Sequence, residues 1–587
     1  MKRFSIAHRL GLATPLVWLS LAAALLSVSV TPVGAQDQTQ PIGQGAAAVA
    51  ASTDPILVVT IAPMNKLTAD INYFAGALGQ PQFGGLFGMM AGGLTLGLDT
   101  ARPIAVLVPL VDGNPEPIGV IPTNDVESML KRLEGQTGGP ADKLEDGTLV
   151  LALGNTLVYV RQVGTWAVVA RNRDVINLVP ADPTILMQGM GEKYDFAVRL
   201  NLGEIPPQLR EMLAQQLDEQ LKQGVEQALQ NQEDADENAI KLSMQQLDQV
   251  KKIMLETDDL MFGLNINPSK RLINIDTETT AIQGTGLAGQ YSGQQPIPSA
   301  YSLVLNANSA IRYHAAGTIA PDTAEIFEAT MKSALDGISQ QLDSQEELAA
   351  DVKAEIEEMV RDLVQIATKT MKEGKSDLGM VVVADDGVFR LAGGGFVHSG
   401  EALAEWVQKL ATKLQQIPDP PTFKFNESTY KGVAMHSIAI DIPSDQEEAI
   451  RLLGPQAVIH LGTGPQAAYF GIGKESPEMI KHLIDNAGAD NGNLADRPLG
   501  QVQIRALPLL RLTQSIQAND IIAAMIDSVA LASEHDFINV TTNSIENGQS
   551  NLIEIGEGVL RLIGVGIREA QNAQMREMQE GGAGGQF

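Results

Sequence analysis

The segment Gly284-Thr285-Gly286-Leu287-Ala288-Gly289 has the G-x-G-x-x-G spacing of a dinucleotide-binding loop. That chemistry needs a strand, a glycine turn and a long helix whose first amides hold the pyrophosphate. It also needs an acid on the ribose about 20 residues further on. The alternating run "LINIDTET" supplies the strand. Gly293 and Pro296 then break any helix within about two turns, and "LVLNANSAI" beyond them holds no Asp or Glu. The motif therefore does not predict a nucleotide site. "LRLIGVGIREAQ" carries Gly564-Val565-Gly566. The two glycine pairs are expected at corresponding strand-to-helix junctions, where a missing Cβ lets a helix approach a sheet.

Other chemistries have weaker signals. No G-x-S-x-G elbow occurs. Ser399 follows His398 directly and reads as a helix N-cap, with Glu401 in the first turn. Ser437 and His436 are neighbours in an alternating strand and should point to opposite faces. The histidines after the leader are His314, His398, His436, His460, His482 and His535, all in the second half of the chain. His436 and His460 sit on strands that can be neighbours, so they are the candidates for part of a zinc or copper site. No H-E-x-x-H or H-x-H spacing supports them. The acidic loop from Asp234 lacks the glycine and final glutamate of an EF-hand, and "DNAGADNGNLAD" (485–496) reads as a turn-rich loop. No cofactor is expected.

The 587 residues are too many for one hydrophobic core. The first 35 residues have the form of an export signal: Lys2, Arg3 and Arg9, an apolar stretch over 11–30, then Val33 and Ala35 before a cut. The alternative is an uncleaved N-terminal anchor, since about 20 apolar residues span a bilayer. Residues 36–53 read as a linker, and 581–587 as a disordered tail. With no cysteine, disulfides and thiol chemistry are excluded. The net charge of −29 repels nucleic acid and anionic head groups and suits a soluble exported protein.

Four pairs of segments recur in the same order, which is the signature of a repeat. "ILVVTIAP" (56–63) answers to "YHAAGTIAP" (313–321). The run 103–135 answers to 379–412, each strand, turn, strand and short helix. Residues 146–179 answer to 430–440 with 457–484. Hairpin 259–289 answers to 536–567. The expected fold is α+β: two tandem copies, 54–297 and 298–580, each a mainly antiparallel sheet with helices packed on one face. Long helical hairpins are expected over 206–257 and 321–374. The uncharged stretch "FGGLFGMMAGGLTLGL" (83–98) reads as a glycine-softened helix buried against the sheet. The competing role is a flexible surface for lipid or peptide.

The leader, the Cys-free acidic body and the order "VPLVDG", "IPTNDVESMLKRLEG", "DGTLVLALGNTLVYV" resemble exported proteins of unknown function from planctomycete-type bacteria. The resemblance implies export and brings no catalytic residues. The leading expectation is a non-enzymatic binding or structural protein of the cell envelope, periplasmic or extracellular. It would not be an integral membrane protein once the leader is cut, and would meet another envelope protein through 206–257 or 321–374. A carrier of apolar molecules in the periplasm is the second expectation. A hydrolase with a site near His436 and His460 is the third.

Overall fold

The structure is a computed structural model describing residues 54–582 apart from 138, 154–155, 231–250, 344–349, 386, 416–419, 489–492 and 495–496. The leader, the linker to Thr53, the Asp234 loop, residues 231–250 and 344–349 of the two expected helical hairpins and the tail from 583 lie outside the described residues.

Twenty strands form one sheet in which every pairing is antiparallel. The first ten are β1 Leu57–Ile61, β2 Ile104–Val108, β3 Ile118–Pro122, β4 Asp142–Lys143, β5 Leu149–Leu153, β6 Thr156–Val163, β7 Trp166–Ala170, β8 Phe196–Asn201, β9 Thr257–Asn267 and β10 Leu272–Ala281. The second ten are β11 Ile311–Thr318, β12 Lys375–Asp385, β13 Val388–Phe396, β14 Thr422–Tyr430, β15 Val433–Asp441, β16 Gln456–Gly464, β17 Ala467–Gly473, β18 Gly500–Arg505, β19 Phe537–Ile545 and β20 Gly548–Gly556. The order across the sheet is β4-β5-β6-β7-β3-β2-β1-β8-β9-β10-β20-β19-β18-β11-β12-β13-β17-β16-β15-β14. Adding ten to each strand of the first run gives the second run in reverse. The two runs meet where β10 pairs β20, with Leu272 opposite Gly556 and Thr280 opposite Gly548.

The main helices are α1 Met64–Ala77, α2 Pro81–Leu94, α3 Val126–Thr137, α4 Pro207–Gln230, α5 Gly286–Ser292, α6 Pro321–Asp343, α7 Ala350–Lys372, α8 Gly400–Leu414, α9 Glu447–Leu453, α10 Ser476–Asn486, α11 Ala506–Ile516, α12 Asp520–Ala530 and α13 Glu557–Gly582. The class is α+β. No helix among the described residues is long and apolar enough to cross a membrane.

Helices were expected on one face, but both faces carry packed elements. The face of Val59 and Val106 is covered at one wing by α3, whose Val126, Met129 and Leu130 meet Leu149, Leu151 and Val160. In the centre, Ala77 and Leu560 seal Ile266 and Ile273 of the same face. The opposite face is closed at the wings. Val175, Ile176, Met187 and Tyr194 cover Leu107, Ile118, Val120 and Val168. Tyr301 and Ile480 cover Val381, Ala392 and Tyr469. The reason lies in strands such as "IAVLV" and "WAVVA". Their apolar residues fall at both parities, so neither side of the wing can be left in water.

The stretch 83–98 was expected to lie buried on the sheet. Instead α2 packs on α1, with Gly88 against Thr68 and Gly84 against Asn72, where a side chain would collide with the Asn72 amide. The glycines serve a helix–helix contact, and the other face of α2 points outward.

Gly564 and Gly286 do not correspond. Gly286 opens α5, whereas Gly564 lies two turns inside α13. A methyl at Gly564 would run into the Leu78 carbonyl oxygen at the end of α1, so this glycine admits a helix end rather than a sheet. Gly566 has open space around it. Gly564→Ala is therefore expected to lower the unfolding free energy by about 2 kcal/mol, because backbone must shift to admit the methyl. Gly566→Ala should be neutral or gain up to about 1 kcal/mol from helix propensity. Paired urea melts measure the contrast.

Candidate functional site

The dinucleotide reading fails on geometry as well as on pattern. Gly284 has φ +84° and turns the chain, and Thr285 caps α5 by accepting from the Ala288 amide at 3.3 Å. The Leu287 amide, which a phosphate would need, donates to Glu256 Oε2 at 2.6 Å. A carboxylate of the chain itself thus fills the end of a seven-residue helix.

Register separates the two candidate histidines. β15 and β16 are neighbours as expected, but His436 stands opposite Leu461 while Ser437 stands opposite His460. Side chains alternate along a strand, so the imidazoles leave opposite faces of the sheet and cannot share a metal. His436 Nε2 contacts Thr463 Oγ1 at 2.9 Å, and its Nδ1 accepts from the Asn426 amide at 3.2 Å. Burial pushes both imidazoles below their ordinary pKa, with Glu427 opposing in part. Among the described residues no group of three His, Asp or Glu is arranged to hold a metal ion. Calorimetric titration with Zn²⁺ is expected to give the same heats for the parent chain and for a His436→Ala, His460→Ala double variant.

Ser399 is the N-cap of α8, its Oγ accepting from the Ala402 amide at 3.1 Å, as its position predicts. His398 Nδ1 lies 2.6 Å from Glu373 Oε1, at the rim of a polar cleft of about 400 Å³ between α7 and α8. Sequence reasoning missed a buried Ser299–His314–Asp377 cluster. Ser299 Oγ donates to Asp377 Oδ1 at 2.6 Å and contacts His314 Nε2 at 2.9 Å. Ser299 Oγ sits between the carboxylate and the imidazole and also accepts from the Tyr301 amide at 2.9 Å, and all three side chains of the cluster are buried. That is a core network, not a nucleophile poised on a base. Residues 78 positions apart leave no local signal of it.

The central strands carry the most distinctive surface. On one face a polar row crosses six strands: Asn265, Asn274, Glu554, Asn539, Gln503 and Arg312. Asn539 Nδ2 donates to Glu554 Oε2 at 2.8 Å, and Gln501 donates to Asn539 Oδ1 at 3.1 Å. Beside this row, a pocket of about 340 Å³ is lined by Lys193, Tyr194, Arg199, Asp259 and Glu278. Arg199 is already paired with Asp259, and burial raises the Asp259 pKa.

The opposite face carries an apolar row across the same strands, beside a polar row of Thr277, Asn551 and Thr542 in which Thr542 Oγ1 donates to Asn551 Oδ1 at 2.8 Å. One cross-strand row runs Phe196, Leu264, Ile275, Ile553, Val540 and Val502. It continues through Tyr313, Met380, Gly393, Phe470 and Leu461. At about 4.8 Å per strand the row is about 48 Å long. Apart from Gly393, every residue in it is half-buried or exposed. Val106, Leu378, Phe470 and Ile504 on this face keep 37, 36, 37 and 39% of their surface accessible. Phe470 lies across Gly393, with a ring carbon 2.7 Å from where a Cβ would stand. Phe196 and Phe262 meet edge to face at 6.5 Å between centroids. This face is sealed in patches: by α3 at one wing, by Leu202, Ile205 and the α4 residue Leu209 over Leu57, Val108 and Leu200, by Ala77 and Leu560 over Ile266, Ile273 and Leu264, and by Leu512 of α11 at Ala384. Sheet faces packed into a core are normally excluded from water, so an extended apolar row left partly open is a candidate binding surface. The alternation that builds it is legible in "MFGLNI" and "LINIDT", but not its exposure.

Comparison of the chain with protein-family models, with curated proteins and with solved structures finds no match. The reading of the site rests on its own chemistry.

Proposed function

We propose that this protein is an exported carrier of apolar molecules, holding acyl or similar chains against the half-covered apolar face of its central sheet. The observation that carries the proposal is the row from Phe196 to Leu461, apolar except for Gly393 and left half-buried or exposed along the rest of its length. Burying such side chains under a ligand is worth about 25 cal/mol per Å² of apolar surface, without any directional partner. The leader at 1–35 supports export to the periplasm or cell surface.

The two halves, 54–297 and 298–580, are proposed to be tandem copies. Supporting this, the ten-strand orders repeat, and helices fall in matching places: α1–α2 and α6–α7 after the first strand of each run, α3 and α8 after the third. Pairing of β10 with β20 joins the copies as a two-fold dimer would, making one continuous apolar face from two shorter ones.

The test is native mass spectrometry on protein purified without detergent, followed by solvent extraction and uptake of a fluorescent long-chain fatty acid. The proposal expects an extractable apolar mass and saturable uptake. Protein that carries nothing and takes up nothing would end it.

A further inference from the structure

The outward face of α2 presents Phe83, Leu86, Met89 and Met90, with Met89 70% and Phe83 57% accessible. Leu96 extends the same exposed apolar region just beyond the helix. Around it, residues 71–98 hold no charged side chain, in a chain with 41 Lys and Arg and 70 Asp and Glu. We propose that the α1–α2 hairpin docks the protein onto an electroneutral lipid bilayer, with α2 lying in the interface and its outward face in the acyl region.

The composition of the face selects a bilayer over a protein partner. A protein interface is ringed by polar groups and needs hydrogen bonds about every 100–200 Å². The exposed residues of α2 are Phe, Leu, Met, Pro and Gly, with one polar side chain, Gln82, whose amide is bonded to Gln80. A hydrocarbon phase asks for no polar partner and penalises any that is present. At 14 residues the helix is about 21 Å long, too short to span the roughly 30 Å hydrocarbon core, so it lies flat rather than crossing. Interfacial helices usually add Lys or Arg to attract anionic lipid. This one has none, and the chain's net charge of −29 repels such surfaces. Docking should therefore depend on apolar area and not on lipid charge. Glycines at 84 and 88 bring α2 flush against α1, which presents it as a firm ridge. This proposal stands apart from cargo binding, and the two are measured separately.

The experiment uses the full chain with Leu86→Trp and vesicles of phosphatidylcholine, read against the parent chain to subtract the native tryptophans. The expected result is a blue shift of the added emission and its quenching by lipids brominated along the acyl chain. Salt should leave both unchanged, and phosphatidylglycerol should not strengthen them. Adding Phe83→Asp and Met90→Asp should weaken vesicle binding roughly tenfold or more per side chain, with an unchanged melting curve. Emission that stays water-like under excess vesicles overturns the proposal. So does quenching undiminished in the triple variant, or docking that requires anionic lipid. A blue shift that grows with protein concentration in the absence of lipid would show that a second copy covers the face, and would also overturn it.

Discussion

A Phe470→Glu, Ile504→Glu double variant is expected to fold and to lose fatty-acid binding by a factor of about 100 or more. Both residues lie on the apolar face, on β17 and β18, and both keep more than a third of their surface accessible. In the unliganded protein each new carboxylate can therefore stay hydrated, and the cost to folding is small. Under an acyl chain it cannot. Desolvating a carboxylate against hydrocarbon without a partner costs several kcal/mol, and about 1.4 kcal/mol is a factor of ten in affinity. Phe470 also shields Gly393, so Ile504→Glu alone serves as the variant least able to disturb the sheet. Glu278→Gln, on the polar face beside the 340 Å³ pocket, is the control and should leave affinity unchanged. Fluorescence titration gives the affinities, and thermal melts show that each variant is folded. Unchanged binding in folded Phe470→Glu, Ile504→Glu protein would remove the apolar face as the site.

The parts of this molecule that were legible in the sequence are those fixed by local periodicity. "LINIDTETTA" alternates and forms β10; "FINVTTNSI" and "GQSNLIEIG" alternate and form β19 and β20. Ser399 caps α8 because its side-chain oxygen, just before Gly400 and Glu401, accepts from the first-turn Ala402 amide. The misread features all depend on placement between distant segments. His436 and His460 were correctly put on adjacent strands. Whether they share a face hangs on a one-residue register that the β15–β16 connection sets. The uncharged α2 was expected in the core because nothing in it resists burial. Only its position on top of α1 decides that it faces outward. The glycine pairs at 284 and 564 look alike in sequence. One turns the chain into a short helix, and the other admits the end of α1 two turns into a long one.

These misplacements share a physical origin. Apolar character states that a residue gains by leaving water; it does not state what will cover it. A sheet face and a helix face can each be covered by the chain itself, by a ligand or by a lipid phase, and the local pattern is identical in all three cases. Here helices close parts of this face, around Leu57 and Leu200, at the α3 wing, at Ile266 and Ile273 and at Ala384, and the row from Phe196 to Leu461 stays half-buried or exposed apart from Gly393.

The join between the halves predicts how the protein fails in acid. Glu557, at the start of α13, is buried and accepts from Arg271 Nε at 2.7 Å, Arg561 Nε at 2.8 Å and Tyr73 hydroxyl at 3.1 Å. Arg271 sits in the β9–β10 turn and Tyr73 on α1, so one carboxylate clasps the first half to the second. The Arg271 hydrogen bond, followed by those of Arg561 and Tyr73, outweighs burial and holds the Glu557 carboxyl at about 2, against 4.5 ordinarily. A depressed folded pKa stabilises the protein fully above the unfolded value, and that stability is lost as pH falls through the folded one. The window here runs from about 4.5 down to about 2. The shift corresponds to about 3 kcal/mol at neutral pH. Glu557→Gln keeps the shape and removes the charge, leaving two guanidiniums facing an amide. It is expected to cost about 3 kcal/mol at pH 7, with the difference from the parent shrinking below pH 4.5 and vanishing near pH 2. Urea melts of both proteins across that range measure it directly. A difference that is the same at pH 7 and pH 3 would mean the clasp acts through packing and not through charge.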